Sequence, residues 1–362
     1  MAIYFIIFTL FSFFAIIGKS RTNPSNQFES FDNSLDFVWF AVLIFLTMLI
    51  GFRLEVGGDW GSYLNYVLFM GSVNTLSEHF IITQDPAYTV LNWVSAKAGF
   101  SIYGVNLVCG LIFSYGLIKL CRSLPRPFLA LAIAFPYLVI VVSMGYSRQG
   151  AALGLSLLAF QALTREKLFY FTVFIFLAAL FHKTAIILLG AAILAVTKNR
   201  MRVIFIFSLI GIFLYFLFLK DAIERLFLYY YFESQYQSEG ALIRLSMILL
   251  PSLLLLIFPG RFKIHPKEMN LWKSFAIVSL LSFLGFFIFD ASTAIDRMAL
   301  YLLPIQLVVF SHLPEFFGNR GEARQWIVLA ILFIYLIILF VWLSYANYSI
   351  YWQPYRSILF EF

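Results

Sequence analysis

Long apolar runs separated by short polar breaks repeat from one end of the chain to the other. A helix needs about 20 apolar residues to cross the hydrocarbon core of a bilayer, and about twelve runs approach that length. They lie at 3–18, 37–51, 102–120, 128–144, 150–163, 169–181, 185–196, 203–219, 245–258, 271–289, 298–312 and 326–345. Several are short for a span and extend into their polar flanks. The pattern predicts an all-α, polytopic integral membrane protein forming a single membrane domain over residues 1–362, with no internal repeat or low-complexity linker.

Composition agrees with the pattern. The chain is 62% hydrophobic and 12% charged, with a mean hydropathy of +0.91, outside the range of soluble domains. Aromatic residues make up 20%, including 44 Phe, as lipid-facing helices with interfacial anchors require. The net charge of +7 does not indicate nucleic acid, because the basic residues sit in short loops between apolar runs. Cys109 and Cys121 belong to one predicted helix, which argues against a disulfide framework or a zinc site. The first run has no basic n-region and no small-residue cleavage site before Lys19, so it is expected to be a retained helix.

Charge in the loops sets the orientation. Lys19 and Arg21, then Lys119, Arg122 and Arg126, then Arg165 and Lys167, then Lys198, Arg200 and Arg202, then Arg261, Lys263, Lys267 and Lys273, then Arg320 and Arg324 occupy alternate connections. Placing these on the cytoplasmic side puts both termini outside. The stretches 53–99, 145–149, 182–184, 220–244 and 290–297 then share the outer face. Residues 53–100 form the first long outer loop, where Tyr88, Leu91 and Val94 fall at helical spacing, and 220–244 form the second. Interfacial helices are expected in such loops, and the aromatic and polar mixture after Tyr229 suits an interfacial belt or a sugar surface.

Those outer breaks also carry the candidate chemistry. Arg53 and Asp59 flank Gly57-Gly58, where glycines can fold the backbone around an anion; a snorkelling arginine and a plain turn would look the same. Arg148 precedes a small-residue face of Gly150, Ala151 and Gly154 that suits close packing, or it contacts headgroups. His182 could act as acid or base, or form an interfacial polar pair with Lys183. Asp296-Arg297 could be a local ion pair. Alternatively Arg297 and Tyr301, four residues apart on a helix, could address one ligand. Several outward arginines together imply an anionic ligand with phosphate-like oxygens, such as a lipid-linked diphosphate sugar.

The ordered set Arg53-x-x-x-x-Gly58-Asp59-x-x-x-Tyr63, Ser147-Arg148-Gln149 with Ala151 and Ala152, Ala179-Leu180-Phe181-His182-Lys183-Thr184-Ala185 and Asp296-Arg297-x-x-x-Tyr301 resembles the EpsG-like family of bacterial O-antigen and exopolysaccharide polymerases, the Wzy-type enzymes. The resemblance spreads over most of the chain, and the tail at 346–362 carries no recognised pattern. It implies a metal-independent, membrane-embedded glycosyltransferase, similar to the GT-C-like class, that needs no cofactor. Donor and acceptor would both be undecaprenyl-diphosphate-linked oligosaccharides. Their site would face the periplasm or exterior of a bacterial cytoplasmic (inner) membrane, among membrane lipids and with a separate chain-length regulator as a possible partner.

Within that expectation Arg148 and Arg297 bind the diphosphate, with Arg53 as a third cation. Asp59 is the first choice of base and His182 the second, with Asp290 and Asp296 as further candidates. Tyr63, Gln149 and Tyr301 position sugars. A flippase or transporter of lipid-linked oligosaccharide and a membrane acyltransferase are the alternatives. Transporters place polar residues near the midplane, whereas here the helix centres are nearly free of charge.

Overall fold

The computed structural model describes residues 1–18, 20, 35–76, 85–190, 193, 200–214, 240–288, 292–316 and 321–361. Among these the secondary structure is helical, apart from one antiparallel bridge between Arg53 and Ser357. In chain order the α-helices are α1 (Ala2–Ile17), α2 (Phe37–Gly51), α3 (Trp60–Ser72), α4 (Pro86–Lys97), α5 (Ser101–Ser123), α6 (Pro127–Ala134), α7 (Ser147–Thr164) and α8 (Leu168–Phe181). They continue with α9 (Arg200–Leu214), α10 (Ala241–Ile257), α11 (Pro266–Ile288), α12 (Ser292–Ala299), α13 (Ile305–Phe316) and α14 (Gly321–Tyr345).

The described helices include 3 long and apolar enough to cross a membrane: Ser101–Ser123, Pro266–Ile288 and Arg324–Tyr345. Ala2–Ile17, Phe37–Gly51, Pro127–Ser143, Leu168–Phe181 and Ala241–Ile257 are shorter apolar helices. Their outward faces are also apolar: Phe37, Phe169, Ile288 and Phe333 are exposed. Water would penalise such a surface, whereas lipid tails would not. The chain is thus built as a helical membrane protein.

Several elements depart from the sequence expectation. The run at 128–144 begins as α6 and continues as a π-helix over Phe135–Ser143 with Pro136 near its start. Proline has no N–H for the helical ladder, and a widened turn accommodates the loss. The run at 298–312 is not one helix. α12 stops at Ala299, a turn occupies residues 300–304, and α13 starts at Ile305. Pro304 cannot donate and disfavours helical backbone at the residue before it. The run at 185–196 opens as a 3₁₀ turn over Lys183–Leu188, and residues 191, 192 and 194–199 lie outside the described residues, as do 215–219 of the run at 203–219. So do Asp290 and residues 220–239 of the second outer loop, with its tyrosines.

α7 is buried on nearly every side and sits between α5 and α8. Small residues allow the approach: a Cβ on Gly116 of α5 would lie 2.1 Å from the Gly154 carbonyl oxygen, and one on Gly154 would lie 2.6 Å from the Ile112 carbonyl oxygen. The backbones therefore touch, as small-residue faces permit. At one end of the bundle the basic connections meet: Arg126 and Arg324 both pair with Glu315, at 3.0 and 3.1 Å, and Lys267 pairs with Glu166 at 2.9 Å.

The opposite end is tied together by the C-terminal tail. The Trp352 Nε1–H donates to the Ile140 carbonyl, and the Tyr4 hydroxyl donates to the Trp352 carbonyl, both at 2.9 Å. The Gly57 and Leu54 amides donate to the Tyr351 and Arg356 carbonyls, while the Ile358 amide donates to the Phe52 carbonyl. The indole also lies over Gly145, where a Cβ would come within 2.8 Å of the ring.

Candidate active site

At this tail-bound end, helix termini from distant parts of the chain surround a cavity of about 240 Å³. Asp59 sits at the N-terminal cap of α3 and Tyr63 one turn inside it. Arg148 and Gln149 occupy the first turn of α7, His182 caps the C-terminus of α8, and Asp296 and Arg297 belong to α12. All seven line the cavity. The chain can deliver Asp59 there because Gly57 adopts φ 110°, which side chains with a Cβ disfavour. A Cβ at Gly57 would also fall 2.5 Å from the Met144 carbonyl oxygen.

Two predicted residues do not reach the cavity. Arg53 is 0% exposed. Its guanidinium donates to the Val56 carbonyl at 3.0 Å, Asn106 Oδ1 at 3.0 Å and Ser147 Oγ at 2.8 Å, and also to the Ile50 carbonyl. It stacks over Trp60 at 5.7 Å. Burial pulls its pKa down to about 10, so it stays charged at neutral pH. Its donors hold the end of α2, α5 and the start of α7 together and leave nothing directed at a ligand. Tyr301 is also buried, in the turn after α12, with its hydroxyl 3.2 Å from Thr184 Oγ1. Because the helix has already ended, the four-residue spacing to Arg297 does not put the two on one face.

Other residues are present that the sequence reading did not select. Arg244 in the first turn of α10 lines the cavity with Tyr137 and Tyr146. Its Nε and Nη2 donate to the two carboxylate oxygens of Asp296, and its Nη1 donates to the Tyr137 hydroxyl at 3.2 Å. Asp296 therefore pairs with Arg244 across the fold rather than with its neighbour Arg297. Asp85, just before α4, accepts from Arg148 Nη1 at 2.8 Å and from the Lys183 amide at 3.2 Å, and its Oδ2 is 3.8 Å from His182 Nδ1. A cation directly before an apolar run flags Arg244, and the Asp85-Pro86 step flags a helix start, but neither signal points to a site.

The electrostatics divide the cavity's groups by role. Burial raises the Asp59 carboxyl, and the guanidiniums of Arg148 and Arg297 only partly offset this. Burial lowers His182 despite the favourable Asp85 charge, with Arg148 and Arg297 acting in the same direction as burial, so the imidazole is neutral near pH 7. Among the described residues neither ring nitrogen of His182 finds a hydrogen-bond partner, although the side chain is only 12% exposed. Arg148 also stacks over Tyr63 and Tyr88, at 5.8 and 5.6 Å, with 41% of its side chain exposed. Among the described residues no carboxylate lies within ion-pair distance of Arg297, and the Gln149 amide fixes its backbone by donating to the Arg297 carbonyl at 3.1 Å. Also among them, no group of His, Cys, Asp and Glu side chains gathers as a metal site would.

Such an arrangement can bind an anion through Arg297 and the exposed part of Arg148, beside a neutral base and a carboxyl of raised pKa. A comparison with family models matches the EpsG family over residues 36–357. No curated protein and no solved structure matches the chain.

Proposed function

Since the chain belongs to the EpsG family, we propose that it is a polysaccharide polymerase of the Wzy type. On this reading it moves a growing glycan from one undecaprenyl diphosphate to a repeat unit on a second, at the outer face of the bacterial cytoplasmic membrane. The single observation that carries the reading is the convergence of Asp59, Arg148, His182 and Arg297, from four separate stretches of sequence, on one cavity at helix ends.

In the reaction an acceptor hydroxyl attacks the anomeric carbon of the donor sugar. The new carbon–oxygen bond forms as the bond to the carrier phosphate breaks, and the electron pair leaves on the diphosphate. Arg297 and Arg148 neutralise that leaving group; such preorganised donors typically contribute about 10²–10³-fold each. His182 takes the hydroxyl proton, because its neutral ring has a lone pair that no donor among the described residues occupies. Asp59, preferred on sequence grounds, sits beside both arginines and is suited to stabilising positive charge at the anomeric centre; it remains the second candidate for base. The Arg244–Asp296 pair and the tyrosines offer sugars a polar, already satisfied wall. Polar groups at helix ends, rather than at mid-bundle, favour surface chemistry over transport.

Deleting the gene and separating surface glycans by length tests the reading. Collapse of a long ladder to single repeat units is the expected result. Loss of all surface glycan, with carrier-linked units accumulating inside, would instead identify a flippase.

A further inference from the structure

An Asp directly before a helix ordinarily accepts a hydrogen bond from the first turn of that helix. Asp85 precedes Pro86 at the start of α4 and makes no such cap. Its carboxylate reaches across the fold instead, to the Arg148 guanidinium, the Lys183 amide and the edge of the His182 ring. Asp85 is 5% exposed and does not line the cavity, so it touches these groups from behind the wall.

We propose that Asp85 is a positioning residue of this site, a buried carboxylate that anchors Arg148 as an anion ligand through an ion pair and places its negative charge 3.8 Å from the ring of His182, the base. The inference rests on the assignment of His182 as base. A carboxylate beside a base is a recurring arrangement in nucleophile activation, and here the same carboxylate also fixes the phosphate-binding cation. Burial alone would push the Asp85 carboxyl up, but His182, Arg148 and the Lys183 amide hold it below the usual carboxylate range. It is therefore ionised at neutral pH and favours any proton that arrives on the imidazole. The opposing charges around His182 are Arg148 and Arg297. Across the cavity stand Asp59 and the mutually paired Arg244 and Asp296.

The test uses the full chain in lipid nanodiscs and needs no substrate. Diethyl pyrocarbonate reacts with an imidazole only in its neutral form, so its labelling of His182, located by mass spectrometry and followed against pH, reports the midpoint of the ring's protonation. In Asp85→Asn the midpoint should fall by about one pH unit, because an opposite charge about 4 Å away is worth at least that much. Asp85→Glu, which keeps the charge, should stay near the wild-type midpoint. Should the Asn variant fail to insert, Asp85→Ser also removes the charge and replaces it. A charge-removing variant that inserts normally and titrates His182 as wild type does would overturn the proposal. A deletion strain that keeps its full glycan ladder would refute the polymerase reading while leaving the midpoint shift in place, so the two failures are distinguishable.

Discussion

At the scale of single residues, two arginines of the same site region should behave oppositely. Replacing Arg53 with Ala removes its charge-assisted hydrogen bonds to Asn106, Ser147 and the Val56 carbonyl inside the bundle and leaves Asn106 and Ser147 only each other. That should cost about 3 kcal/mol or more, seen as a lowered melting temperature in detergent. Arg297→Ala removes an exposed cavity-lining cation with no ion-pair partner among the described residues, so the melting temperature should hold while polymer disappears. His182 supplies a pH test. Burial lowers the imidazole below its ordinary value of about 6.5, so the ring loses function as a base only when pH falls through that lower value. Chain extension should therefore persist into mildly acidic solution and fail below it, and His182→Gln should reduce the rate about 10²-fold or more at any pH. Asp59, Arg148, His182 and Arg297 were legible because each interrupts or ends an apolar run, where an ionisable group demands a reason. Scarcity of charge shows only that a partner is needed. It cannot show that the partner of Arg53 is the protein's own Asn106, nor that Asp85 has turned away from its helix to serve Arg148.

At the scale of elements, the crossing of α5 and α7 sets where Arg148 stands. The contact of Gly116 with Gly154 leaves no room for a side chain, so Gly154→Leu should force the helices apart, at a cost of about 3 kcal/mol. The readout is faster proteolysis of the variant in membranes, with loss of polymer as a consequence. Many of the described helices, such as α2, α5, α8 and α14, coincide with apolar runs, whereas α3 and α4 fall outside them, and the small face of α7 announced its packing. The break between α12 and α13 was hidden because residues on both sides of Pro304 are apolar, so hydropathy alone continues through it. Proline was the available signal, and it also removes Tyr301 from the face that spacing assigned to it.

At the scale of the whole molecule, the bundle has one end rich in Lys and Arg and another that carries the cavity and the tail. Positive-inside bias expects the first to be cytoplasmic. Single cysteines at Glu166 and at Gly58, both exposed, report this with a membrane-impermeant maleimide on spheroplasts. Position 58 should label and position 166 should not; native Cys109 and Cys121 are buried and silent. The reverse pattern would place the cavity on the side where the glycan carriers are first loaded.

The tail has a further consequence in time. Residues 52–57 lean on residues 351–358 for their backbone partners, and those partners emerge from the ribosome some three hundred residues later. The segment leading to Asp59 must therefore wait, already inserted, until residues 351–358 are delivered to the same end of the bundle. A nascent or prematurely terminated polypeptide would hold its helices but lack the backbone pairing that finishes this mouth of the cavity. That end of the bundle is thus finished only once residues 351–358 have been made, and copies that stop short of them leave the approach to Asp59 unpaired.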